Sequence, residues 1–249
     1  MPTLRSRRPH SSLWSLWFFR FVRKLARVAL SVVYRIRVEG VERVPSAGAV
    51  LIAANHQSFL DPPAIGGVVR HRQCDFIARG GLFKFRPFAW LITNLNSIPL
   101  RENEPDAAAI KEILRRLDQG SVVLIFPEGM RSPDGAMRTF SRGVALLVKR
   151  SNCPVLPAAI EGAFDAWPRQ RKFPRLFGQR LAVKFGTPIP HEELLRDGPD
   201  AALRRLEREI DAMRLELRAE LRSATRGRYP GPGPGDEPFG DGTDANAEA

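Results

Sequence analysis

Cysteine is nearly absent from this 249-residue chain, with Cys74 and Cys153 the only two. Neither sits in a metal-ligand spacing, so the pair makes neither a disulfide framework nor a cysteine-built metal site, and both thiols are expected to be buried and reduced. Lysine is also scarce, at six of 39 basic residues, so arginine carries the positive charge. Acid does not balance it: 27 Asp and Glu leave a net charge of +12. That surplus calls for anionic partners, whether nucleic acid, phospholipid surface, phosphorylated substrate or acidic carrier protein. Long uncharged apolar runs are missing too. The apolar N-terminal stretch is broken by Arg20, Arg23, Lys24 and Arg27. At about 3 kcal/mol for each charge near a bilayer centre, these argue against a spanning helix, and they argue equally against a cleaved signal. An apolar content of 43% argues against disorder throughout, and the length suits one α/β domain with extensions.

What is present centres on Asn55-His56-Gln57-Ser58-Phe59-Leu60-Asp61, which follows the apolar run Ala49 to Ala54. That run has the composition of a buried strand, and it delivers His56 and Asp61 to the sheet edge. Five residues along a regular helix would turn the two side chains about 140° apart. They converge if His56 lies in the turn and Asp61 at the start of the next helix, where Asp suits the N-cap and Pro62 the first helical position. A histidine held by an aspartate is the smallest general base, because the carboxylate sets the tautomer and stabilises the imidazolium.

Three further blocks follow. Asn96-Ser97-Ile98-Pro99-Leu100-Arg101 is a short apolar segment ending on an arginine. Ser121 to Phe126 reads as a second buried strand and empties into Pro127-Glu128-Gly129-Met130-Arg131-Ser132, and Val155 to Ile160 reads as a third. Together, from about Tyr34 to Ile189, the blocks resemble the lysophosphatidic acid acyltransferase family (1-acyl-sn-glycerol-3-phosphate acyltransferases) within the glycerolipid acyltransferase superfamily. The first block fits the family's Asn-His-x-Ser-x-x-Asp motif throughout. The third fits Phe-Pro-Glu-Gly-Thr-Arg-Ser, with Met130 in place of Thr.

The remaining chain reads as alternating strands and helices, and therefore as an α/β domain on a mostly parallel sheet. The resemblance implies about seven strands wrapped by helices, with the site at one end. Residues 1–33 are expected to hold a basic, flexible start and an amphipathic helix. In it Trp14, Trp17, Phe18, Phe21, Leu25, Val28 and Val32 fall within an arc of roughly 100° and the cations on another. That pattern fits a helix lying in the headgroup plane of a membrane; packing on the core with a solvated basic face is the alternative. The acyltransferase domain is expected over residues 34–190, a helix packed on it over 191–226, and a disordered Gly, Pro and acid-rich tail over 227–249. Leu82 to Leu95, crowded with aromatics, reads first as core, with an acyl pocket or a membrane-facing cap as the alternatives.

The residues and the resemblance assign roles together. His56 would take the proton from an acceptor hydroxyl attacking an acyl thioester, and Asp61 would orient it. Ser58 has no chemical role beyond capping a turn. Glu128 at a strand end can reach a substrate hydroxyl while Gly129 lets backbone approach closely; a plain strand-to-loop turn would use the same residues, and the resemblance assigns the block to the glycerol-phosphate acceptor. Arg131 and Arg101 suit the acceptor phosphate, since guanidinium forks match its oxygens, with a solvated surface role open for Arg101. His10, His71 and His191 lack any accompanying motif. No metal or cofactor is expected, and no nucleic-acid module is recognisable.

The expected function is acyl transfer from acyl-CoA or acyl carrier protein to the sn-2 hydroxyl of 1-acyl-glycerol-3-phosphate, at the cytoplasmic face of the inner or plasma membrane. Arg79 and Gly81 stand where the family often has Lys and Glu, and Ala89 and Asn96 where it often has glycines. With Met130, these departures leave other acceptors open, among them glycerol-3-phosphate, another lysophospholipid or a lyso-aminolipid. A non-catalytic lipid- or nucleic-acid-binding protein is the rival of another class.

Overall fold

The computed structural model describes residues 13–83, 85–95, 97–100 and 106–240. In chain order, α1 (Leu13–Tyr34) leads to β1 (Arg37–Glu39), β2 (Val50–Ala54) and α2 (Asp61–Val68). Next come β3 (Cys74–Arg79), α3 (Arg86–Asn94), β4 (Ile98–Leu100), α4 (Asp106–Asp118) and β5 (Val122–Ile125). Then α5 (Arg142–Ser151), β6 (Val155–Glu161), the single turn α6 (Ala163–Ala166), β7 (Ala182–Phe185), α7 (His191–Leu194) and α8 (Pro199–Ala224) complete the order.

The strands form one seven-stranded sheet in the order β1-β7-β6-β2-β5-β3-β4. Five central and edge strands from β6 to β4 are parallel; β7 runs antiparallel to β6, and β1 runs with β7. β2, β5 and β6 are buried along their whole length. This explains why they read as unbroken apolar runs rather than as alternation: a parallel sheet covered on both faces has no solvent side. The period of two survives in the partition between layers. Leu51, Ala53, Val123 and Ile125 pack toward α4, α5 and α8, while Val50, Ile52, Ala54, Val122 and Leu124 pack toward α1 and α2. β2 and β5 are neighbours whose chains leave toward opposite faces, so their carboxyl ends bound a crevice of the kind in which open α/β sheets place their sites.

In α1, Trp17, Phe21, Leu25, Val28 and Val32, five of the seven residues of the expected apolar arc, lie outward and do not pack on the core, which was the alternative reading. The inward side is carried instead by Phe19, Leu30 and Tyr34, all buried. Arg23, expected on a solvated basic face, donates from Nη1 to the carbonyls of Val69 (3.0 Å) and Arg72 (3.2 Å), docking α1 where α2 ends. The first strand begins at Arg37, because α1 runs on through Tyr34.

Leu82 to Leu95 contributes little to the core. Ile92 is buried, but Phe85 and Trp90 are exposed, and the Trp90 ring meets Phe18 of α1 edge-on at 5.0 Å between centroids.

The largest correction is at the C-terminus. Residues 227–249 were expected to be disordered, yet up to Gly240 the segment lies strapped along α8. Arg214, Arg218 and Arg222, spaced four apart and so on one helix face, donate to its backbone. Arg214 reaches the carbonyls of Gly235 and Glu237, Arg218 that of Gly231, and Arg222 those of Pro230 and Gly231. Asp236 accepts from Arg218 Nε and Arg222 Nη2, each at 2.7 Å, and the Phe239 amide donates to Asp211 at 2.8 Å. Composition alone reads Gly, Pro and acid as unable to bury apolar surface; here order comes from carbonyls meeting guanidinium donors, with prolines already limiting the freedom to be lost.

Candidate active site

The site is built where β2 stops. Asn55 ends the strand by using its side-chain amide as one more rung of the sheet: Nδ2 donates to the Ile160 carbonyl (2.9 Å) and Oδ1 accepts from the Ile160 amide (2.8 Å) of β6. The chain then turns, and the fully buried Asp61 gathers it. Asp61 Oδ2 accepts from His56 Nδ1 (2.7 Å) and from the amides of Gln57 (2.6 Å) and Ser58 (2.7 Å). Asp61 is thus the first residue of α2, with Leu60 before it at the cap position, and its carboxylate reaches back over the turn. A carboxylate only accepts, so Nδ1 carries a proton, which in the neutral ring leaves Nε2 as the acceptor. The imidazole stacks on Phe126, just past β5, at 4.0 Å and 16°.

The Pro-Glu-Gly block holds the histidine from behind. Glu128 Oε1 accepts the His56 amide at 2.7 Å and Oε2 accepts the Arg138 amide at 3.2 Å, while the Ser132 amide donates to the His56 carbonyl at 2.8 Å. Both backbone ends of His56 are therefore tied to the loop after β5. Glu128 is only 7% exposed. Burial pushes its carboxyl up to about 8, against the downward pull of the two amide donors, and nearby Asp61 adds to the rise.

That displacement makes a prediction for stability. The folded chain keeps a proton on Glu128 that the unfolded chain has lost above about 4.5, so the stabilisation is complete below 4.5 and disappears as pH rises to about 8. Across that window the wild type should lose up to roughly 1 kcal/mol per pH unit relative to Glu128→Gln. Melting temperatures of both proteins between pH 5 and 8 check it; parallel curves would refute it.

Gly129 has φ +74. A Cβ there would meet no protein atom within 4 Å, so what the fold itself requires of this glycine is the left-handed turn. Arg131 lies at the mouth, its guanidinium 3.6 Å from the centroid of the exposed Phe59 ring, which in turn meets Trp167 at 5.4 Å. His56, Asp61, Glu128, Gly129 and Arg131 are thus brought together by two adjacent strand ends. Arg101 lies outside the described residues.

Ser58 caps the turn as expected, its Oγ accepting from the Leu60 amide (3.3 Å), and it also donates to the Trp167 carbonyl (2.9 Å), pinning the loop. Sequence reasoning assigned no part to the next residues of the site. Gln57, buried, has its Nε2 on Glu161 Oε2 (2.8 Å) and its Oε1 on the Phe164 amide (3.3 Å). Glu161 is held by Arg218 Nη1 at 2.7 Å, and Arg218 by Asp236, so a chain of polar contacts runs from the strap to the histidine turn. The only available signal was a Gln between a His and a Ser at the end of a buried strand. A groove of about 630 Å³ lined by Arg27, Val28, Val32, Val38, Val41 and Arg70 lies near the amino ends of β2 and β3, at the far end of the sheet from His56.

An imidazole oriented by a buried carboxylate at the carboxyl ends of adjacent parallel strands has the geometry that a His–Asp base on an α/β fold would need. Residues 35–161 match the family model described as Acyltransferase. A 1-acyl-sn-glycerol-3-phosphate acyltransferase of Pseudomonas aeruginosa is 31% identical over 208 residues, covering 81% of this chain and 75% of that protein. A chloroplast enzyme of the same name from Arabidopsis thaliana is 29% identical over 155 residues, 61% of this chain but 43% of the relative, so the chain spans less than half the length of that protein. The crystal structure of the 1-acyl-sn-glycerophosphate acyltransferase PlsC from Thermotoga maritima superposes with a TM-score of 0.70 at 26% identity, covering 82% of each chain. The chain belongs to the acyltransferase family that includes the lysophosphatidic acid acyltransferases.

Proposed function

We propose that this protein moves a fatty acyl group from a thioester, acyl-CoA or acyl carrier protein, to the sn-2 hydroxyl of 1-acyl-glycerol-3-phosphate, giving phosphatidic acid. The observation that carries the reading is the His56 imidazole, held on its Nδ1 side by the buried Asp61 at 2.7 Å, in the same turn as Phe59, whose ring carries the Arg131 guanidinium. His56 Nε2 takes the hydroxyl proton as that oxygen attacks the thioester carbonyl carbon. The tetrahedral intermediate collapses with cleavage of the C–S bond, and the imidazolium returns the proton to the departing thiolate. Asp61 stabilises the transient imidazolium. Arg131, with Arg101 as a second candidate, supplies the phosphate grip, and Glu128 acts through the His56 backbone more directly than through the substrate.

The exposed stripe of α1 supports attachment to a membrane surface, since aromatic and aliphatic side chains lie outward with Arg20, Lys24 and Arg27 beside them. No described helix is long and apolar enough to cross a membrane. Recovery of the full chain in the soluble cell fraction would overturn this attachment.

The substrate is tested with purified protein in detergent, using long-chain acyl-CoA with 1-acyl-glycerol-3-phosphate and glycerol-3-phosphate in parallel. Transfer to the lysolipid alone is the expected result. Transfer only to glycerol-3-phosphate or to another lysolipid would keep the chemistry and replace the acceptor, as Arg79, Gly81 and Met130 leave open. No transfer from either donor class to any of these acceptors would overturn the reading.

A further inference from the structure

A second cluster of exposed apolar side chains lies far from α1 in sequence. In the loop between α6 and β7, Phe173 is 77% exposed, Leu176 52% and Phe177 81%. Single exposed apolar residues are ordinary on protein surfaces, but three within five positions are not. They are interleaved with cations: Arg169, Arg171 and Lys172 are exposed, and no acidic residue occurs between Asp165 and Glu192.

The loop is not loose chain that happens to be greasy. Its base is tied down by the Arg175 amide and guanidinium donating to the carbonyls of Ala166 (2.7 Å) and Asp165 (2.8 Å). Trp167 Nε1 donates to Arg171 (3.0 Å) and Gln170 Nε2 to Pro133 (2.6 Å). A fixed base with an apolar tip is the form of an insertion wedge. Its location ties it to the site: Trp167 touches Phe59 at the mouth and receives the Ser58 hydroxyl bond. Its flanks also belong to the layer of α1, since Ala163, Ala166 and Leu181 pack in the same apolar cluster as Leu30 and Tyr34.

We propose that residues 168–178 form a second membrane contact, a wedge that inserts Phe173, Leu176 and Phe177 into an anionic phospholipid surface and seats the mouth of the site on it. Cations in the headgroup plane with aromatic and aliphatic side chains below it match the chemistry of such an interface. An acidic carrier protein would answer to the cations but leave three apolar side chains without a use, and a nucleic acid would give Leu176 nothing to stack on. The inference deepens the lipid reading of the site and takes its purpose from it, but vesicle binding is measured without catalysis, so the two can fail separately.

The test uses the full chain. Cys74 and Cys153 are buried, so Phe177→Cys offers one accessible thiol for an environment-sensitive fluorophore. Vesicles containing phosphatidylglycerol should shift the emission to the blue, salt should weaken the shift, and pure phosphatidylcholine should give little. In a second arm, Phe173→Ser with Phe177→Ser should weaken vesicle sedimentation at least roughly tenfold with an unchanged melting temperature. The same fluorophore at Phe21→Cys reports on α1. A shift at position 21 with none at 177 would overturn the wedge and leave α1 alone on the membrane. Equal shifts at 177 on adding acidic carrier protein or RNA without vesicles, or a fall in melting temperature of the double variant, would overturn it too.

Discussion

Replacing His56 by Ala should lower the acyl-transfer turnover by 10²–10⁴-fold, the usual range for losing a general base. The fold should survive. Asp61 Oδ2 would keep its bonds from the Gln57 and Ser58 amides, and Glu128 and Ser132 hold the backbone of residue 56 and not its side chain. Loss should therefore fall on kcat with a melting temperature within a few degrees of wild type. Turnover reduced by less than about tenfold in a folded variant would remove His56 from the role of base.

The largest effect on stability is expected at Arg214. Its side chain is fully buried, donates to Asp211 at 2.7 Å and to two strap carbonyls, and lies 4.0 Å from Glu161. Arg214→Leu would leave the buried Asp211 with the Phe239 amide alone and deprive the carbonyl of the buried Gly235 of its donor. Removing one partner of a buried ionic cluster costs about 3–5 kcal/mol, which for a chain of this size lowers the melting temperature by on the order of 10 °C. Arg214→Lys should restore little of it, because one ammonium cannot span acceptors that a planar fork reaches together. A melting temperature unchanged by Arg214→Leu would show that the strap contributes nothing to stability.

The parts of the molecule that were legible are those whose signal is a pattern of side-chain types along the chain. β2, β5 and β6 announced themselves as apolar runs, and α8 by Leu203, Leu206, Ile210, Leu217 and Leu221 recurring at helical spacing. His56 and Asp61 were found because their motif is local. The parts that were not legible depend on what a polar side chain meets across the fold. Arg214, Arg218 and Arg222 have the spacing of an ordinary solvated face, and nothing in their sequence distinguishes a guanidinium in water from one saturated by backbone carbonyls. Glu128 was read as reaching outward to a hydroxyl, whereas its oxygens are turned inward onto amides 72 and 10 residues away. Gln57 was passed over because an amide between two motif residues carries no periodicity, although its buried contacts help fix the turn.

The clamp on the His56 backbone also bears on how the site comes into being. Its amide is closed by a residue 72 positions later and its carbonyl by Ser132. Neither bond is available to a chain that has formed only β2 and α2, so the histidine turn acquires its shape when β5 docks and not before. Long-range closure of this kind makes the turn part of the cooperative unit of the core. The amide proton of His56 would then exchange with solvent on the timescale of global opening, and a site at the protein's surface would be as slow to come apart as its interior.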